Sequence, residues 1–129
     1  MSKPRESKIP AILIQRYDKI VALEEAREIL ANLSRHENGI DAEIRFIRQR
    51  VEDLKNDLRN SEPEAMAVID TISDKPAAWT AARLRYLLGY KWEAVASKME
   101  SSAENVSMTV YRAFDKAAAD KPGGNRKEA

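Results

Sequence analysis

One stretch of the chain carries side chains whose chemistry suits the edges of nucleic-acid bases. Glu104, Asn105, Ser107, Met108, Tyr111 and Arg112 follow Ser102 at short intervals, and Lys116 lies one turn beyond. An asparagine can donate and accept at once toward adenine, and an arginine can donate two bonds to guanine. Lys91, Lys98 and Lys116 offer point charges to phosphates. The chemistry on offer is recognition by hydrogen bonds and charge.

Catalytic chemistry finds little material. The chain holds no cysteine, which excludes disulfides, thiolate catalysis and cysteine-bound zinc. His36 is the only histidine, and beside Asn38-Gly39 it reads as a turn residue. No phosphate-cradling glycine loop, nucleophile elbow or metal-binding helix motif occurs. Glu24-Glu25 and the Glu62/Glu64 pair are the carboxylates of solvated helices. These readings point away from an enzyme, and they ask for no cofactor and no metal.

Recognition chemistry needs a helix to present it. Ser102 is a good N-cap, and the spacing predicts a helix over Ala103 to Ala119. Its apolar stripe is Val106, Val110, Ala113, Phe114 and Ala117, which turns the candidate residues outward. A shorter helix is expected from Lys91 to Met99, with Trp92, Val95, Ala96 and Met99 at helical spacing. Glu100-Ser101-Ser102 is the turn between them, and Ala96 is small enough for a close helix crossing. Two helices joined by a tight connection are the form of a helix-turn-helix, whose second helix enters the major groove. Upstream, Gly89 should stop a helix over Ala77 to Leu88 with Trp79, Leu84 and Leu87 or Leu88 in the core. Ala65 to Ile72 reads as a short helix with the stripe Met66, Ile69 and Ile72.

The N-terminal half reads as an antiparallel helical hairpin. From about Pro10 to Ser34, Leu13, Tyr17, Ile20, Leu23, Ile29 or Leu30, and Leu33 recur every three or four residues. Asn38-Gly39 ends that pattern as a helix C-cap. Ile40, Ile44, Ile47, Val51, Leu54 and Leu58 then follow at intervals of 4, 3, 4, 3 and 4, a heptad seam. Five basic and five acidic residues lie along the stretch Asp41 to Arg59 that carries them, as on a solvated coiled-coil surface. Pro63 should end the hairpin and open the next helix. The expected fold class is all-α: a flexible segment 1–9, a hairpin 10–60, a helix-turn-helix domain 64–119 and a disordered tail 120–129.

Charge sets a limit on phosphate binding. The whole chain carries +1, and residues 64–118 hold seven basic and seven acidic side chains. Phosphate-driven affinity should therefore be modest. Arg83 and Arg85 are additional expected phosphate contacts, with surface ion pairs to Asp70 and Asp74 as the alternative. No apolar run approaches the ~20 residues of a membrane span, so a membrane is not an expected partner.

The run Leu84-Arg85-Tyr86-Leu87-Leu88-Gly89-Tyr90-Lys91-Trp92-Glu93-Ala94-Val95-Ala96-Ser97-Lys98-Met99 resembles the core of sigma-factor region-four domains. Ser102, Val106 and Arg112-Ala113 continue the resemblance in register. With the hairpin ahead of it, the chain is similar to small phage- or prophage-encoded transcription regulators, the ArpU/RinA-like group. The likeness is close over residues 84–118 and only architectural over residues 17–58. It implies a cytoplasmic regulator in a bacterial host that binds double-stranded DNA, with RNA polymerase as a further partner. A homodimer or the polymerase would supply the affinity that the neutral charge withholds. One departure is Ser107-Met108-Thr109, where the family often carries a basic residue. Two other readings remain open from the residues: a non-catalytic protein-interaction module, and a phage DNA-packaging subunit resembling a small terminase.

Overall fold

A computed structural model describes residues 9–35 and 41–119. Among the described residues the chain is all-α, with five α-helices and no strand. Helix α1 spans Ala11–Arg35 and α2 spans Asp41–Ile69, the two long arms of the hairpin. A single 3-10 turn, Asp70–Ile72, leads to α3, Pro76–Ala82, which opens on its proline. A π-helical stretch, Arg83–Leu87, extends α3. Then come α4, Trp92–Lys98, and α5, Ala103–Ala119. The expected tail 120–129, the segment 1–8, His36, the Asn38-Gly39 cap and Ile40 of the seam lie outside the described residues.

Two apolar clusters hold the chain. The hairpin cluster is built on Leu23, Ala26, Val51 and Leu54, with Ile47 and Leu58 half-buried against it. The larger cluster joins the base of the hairpin to the C-terminal helices. Leu13, Ala65 and Ile69 from the hairpin pack there with Ala78, Ala81, Tyr86, Val95, Val106, Val110 and Phe114. Ile9, expected in a flexible segment, is buried in this cluster. Its apolar side chain finds the core even though the residues before it are polar.

The expected break at Pro63 does not occur, and α2 runs through it. Leu54, Leu58, Ser61, Ala65 and Ile69 keep one register across the proline, and Pro63 itself points to solvent. Continuous packing on one face outweighs the missing backbone donor. Side chains support the same turn. The Leu58 carbonyl accepts from Arg16 Nη1 at 2.6 Å and from Ser61 Oγ at 3.3 Å.

Arg16 is the one buried charged residue in the described chain. Its Nε donates to the Tyr86 carbonyl at 2.9 Å, and Nη1 also donates to Ser61 Oγ at 2.8 Å. Burial pulls the guanidinium below its ordinary pKa, while the negative charge of Glu62 works the other way. The residue ties α1, α2 and the π stretch together.

The π stretch also revises the expected core of the third segment. Tyr86 is buried, Leu84 and Leu87 are half-buried, and Leu88 is 60% exposed. A π turn takes more residues than an α turn, so the apolar phase slips at Arg83. The alanines Ala78, Ala81 and Ala82 fill the core, while Trp79 lies half-buried at its edge. Trp79 donates through Nε1 to Asp70 at 2.9 Å. Gly89 terminates the segment as expected, with φ of 81°. A Cβ there would sit 2.3 Å from Ile20 Cγ2, so the turn lies directly against α1. Of the two seam alternatives Ile29 and Leu30, Leu30 is half-buried and Ile29 is 47% exposed.

Candidate nucleic-acid interface

Helices α4 and α5 pack on each other and are joined by a tight turn. The turn is a Schellman motif: the Ser101 amide donates to the Ala96 carbonyl at 2.9 Å and the Glu100 amide to Ser97 at 3.4 Å. Glu100 takes the left-handed position with φ of 54°, where glycine is usual. Val95 and Ala96 are buried at the crossing, and Val106, Val110, Ala113 and Phe114 are the buried face of α5. Ser102 caps α5 through its Oγ, which accepts from the Asn105 amide at 3.0 Å.

The rest of α5 divides into residues that point out and residues that are engaged. Glu104, Asn105, Arg112 and Lys116 are exposed, and Met108 is half-buried. Asn105, Met108, Arg112 and Lys116 fall at helical spacing along one line, opposite the buried stripe. Asn105 enters this line already bonded, its side-chain nitrogen donating to Ser101 Oγ at 2.8 Å. The Ser107 hydroxyl donates back to the Glu104 carbonyl at 3.1 Å, and Thr109 Oγ1 to Asn105 at 2.8 Å. Ser107 therefore turns its polar atom toward its own helix.

Tyr111 departs from the outward position expected of it. Its ring meets Trp92 edge to face at 6.1 Å, and Trp92 meets Tyr86 in the same way at 6.2 Å. Tyr111 is half-buried and packs on the core. An aromatic ring covers more apolar surface in that seat than it would standing into water.

The cations fall into two groups. Arg85 lies between two rings, its guanidinium 3.6 Å from the centroid of Tyr17 and 4.7 Å from that of Trp92. Arg83 covers Trp79 at 4.6 Å. Neither forms an ion pair with Asp70 or Asp74; Asp70 accepts from Trp79, and Asp74 meets Lys75 at 3.3 Å. Stacked in this way, Arg85 is a packing residue. Lys91 is exposed, but Glu24, Glu25, Glu28 and Glu93 line the same groove between α1 and α4. The groove that Lys91 lines is therefore rich in carboxylates. Lys98, Arg112 and Lys116 remain exposed, with Lys98 Nζ resting 5.0 Å from the Tyr90 ring.

Trp92, expected at helical spacing with Val95, packs against the core. The sequence alone does not reveal the roles of Tyr90 and Arg16, since a lone ring and a lone arginine carry no periodic signal and only the fold shows what they touch. Among the described residues no helix is long and apolar enough to cross a membrane. Comparison of the chain with known protein families, with curated proteins and with solved structures found no match.

Proposed function

We propose that the chain is a non-catalytic DNA-binding transcription regulator of phage or prophage type, which reads the major groove with α5. The observation that carries the reading is the α4–turn–α5 unit, with Asn105, Met108, Arg112 and Lys116 in one outward line. A capped helix presenting asparagine near its start and arginine further along matches how such helices meet base edges. Lys98 and Lys116 would hold phosphates. The acidic groove around Lys91 would keep the α1 side away from the duplex.

With few cations to hold phosphates, one unit binds weakly on its own. A second copy of the chain, or RNA polymerase, would supply the remaining affinity. A protein-interaction module is the second reading, favoured by the equal numbers of acidic and basic side chains in residues 64–118.

Selection of bound duplexes from a random pool at low salt tests the proposal. A recovered consensus supports DNA reading, and Asn105→Ala should relax one position of it by ~1–3 kcal/mol. A pool that never enriches favours the protein-interaction module.

A further inference from the structure

We infer that two copies of this chain pair through the tip of the hairpin, α2 against α2 in antiparallel sense. The twofold axis passes between Phe46 and Ile47. Phe46 is 69% exposed and Ile29 is 47% exposed, two of the largest apolar side chains left in solvent. With Leu33, Ala42 and Ile47 they form one surface patch near the end of α1 and the start of α2. Contiguous exposed apolar surface of this kind marks an interaction site.

The charges around the patch choose the occupant. Glu43, Phe46, Ile47 and Arg50 stand at i, i+3, i+4 and i+7, so they share one face of α2. Glu43 and Arg50 are both exposed, and among the described residues neither forms an ion pair within the chain. An acid and a base therefore flank an apolar centre symmetrically. Antiparallel pairing about that centre brings Glu43 of each copy opposite Arg50 of the other, and Phe46 opposite Ile47. Parallel pairing would set Glu43 against Glu43 and Arg50 against Arg50. The stripe is complementary to itself in one sense only, as a closed twofold contact requires.

The patch is small beside the ~800 Å² that each partner contributes to a standard interface, so the association belongs in the micromolar range. Its geometry also sets a spacing, whose meaning rests on the DNA-binding reading. From the axis to Ile69 is about 22 residues of helix, or ~34 Å. The two C-terminal units would then lie ~70 Å apart, about two turns of duplex.

Sedimentation equilibrium of the full chain from about 1 to about 100 µM tests the pairing. The mass should rise from 14.6 kDa toward twice that value. Phe46→Glu should stay monomeric throughout, with unchanged melting because the side chain is exposed. Glu43→Arg and Arg50→Glu should each weaken the dimer about tenfold or more, and an equimolar mixture of the two should associate again. A wild-type chain that is monomeric at about 100 µM overturns the inference. So does a Phe46→Glu variant that dimerises like wild type, or a mixture that shows no rescue. None of these outcomes involves DNA, and a dimer that binds no duplex would refute the DNA reading alone.

Discussion

Arg16 and Tyr86 stand 70 residues apart in sequence, and the Arg16 guanidinium donates to the Tyr86 carbonyl at 2.9 Å. The same side chain reaches Leu58 and Ser61 on α2. One buried cation thus joins α1 and α2 to the segment that leads into α4. Arg16→Ala should destabilise the chain by ~2–4 kcal/mol, since it leaves a cavity and removes the donor of three acceptors. Arg16→Lys should recover only part of this, because an ammonium lacks the fixed fork that spans two elements. Urea unfolding monitored by circular dichroism checks both, and an Arg16→Ala midpoint equal to wild type would refute the role.

Gly89→Ala should be destabilising for two separable reasons. The backbone there is left-handed, and the new Cβ would meet Ile20. Overpacking and strain together should amount to ~2–4 kcal/mol. Ile20→Ala in the same chain relieves the collision, so the double variant should lose less than the sum of the single losses. Strict additivity in thermal melts would show that the two residues do not touch.

Glu100→Gly should stabilise the protein. Glutamate holds a left-handed φ at the C′ position, and glycine removes that strain at some cost in unfolded-state entropy. The balance is ~0.5–1 kcal/mol, or about 2–5 °C in Tm. Differential scanning calorimetry reads it directly, and a lower Tm would mean that the Glu100 side chain contributes something the turn geometry does not reveal.

Much of this fold is legible from spacing. The bounds of α5 follow from Ser102 and the stripe Val106, Val110, Ala113 and Phe114, and the stop at Gly89 follows from glycine. These features are local, and local signals survive in a bare sequence. The failures are tertiary. Pro63 reads as a break because its own chemistry opposes a helix, yet the register of Leu54, Ala65 and Ile69 carries α2 across it. The π stretch has no sequence signature, so the spacing leaves Leu87 and Leu88 as alternatives and does not mark Tyr86, whereas Tyr86 is buried, Leu87 packs on the core and Leu88 is exposed. In the candidate site, the outward line of Asn105, Arg112 and Lys116 was readable from the core stripe. That Tyr111 turns to Trp92, and that carboxylates of α1 line the groove of Lys91, depends on elements far apart in sequence.

The two hairpin seam positions should respond differently to charge. Leu54 is 3% exposed in the hairpin cluster, whereas Ile47 is half-buried at its edge. Leu54→Asp should lower stability by ~4 kcal/mol or more, and Ile47→Asp by ~1–2 kcal/mol. Equal losses in chemical denaturation would contradict the packing described for the seam.

The central claim is that α5 meets DNA through a small set of cations, and the salt dependence of duplex binding tests it most directly. Fluorescence anisotropy of a labelled random duplex should give log K falling linearly with log salt. At ~0.9 per phosphate contact, Lys98 and Lys116 predict a slope of roughly −2 for one protomer and roughly −4 for a dimer. Lys116→Ala should make that slope shallower by about 1 for each protomer bound while leaving Tm unchanged. No duplex binding at low salt, or binding with a slope near zero, would contradict the account.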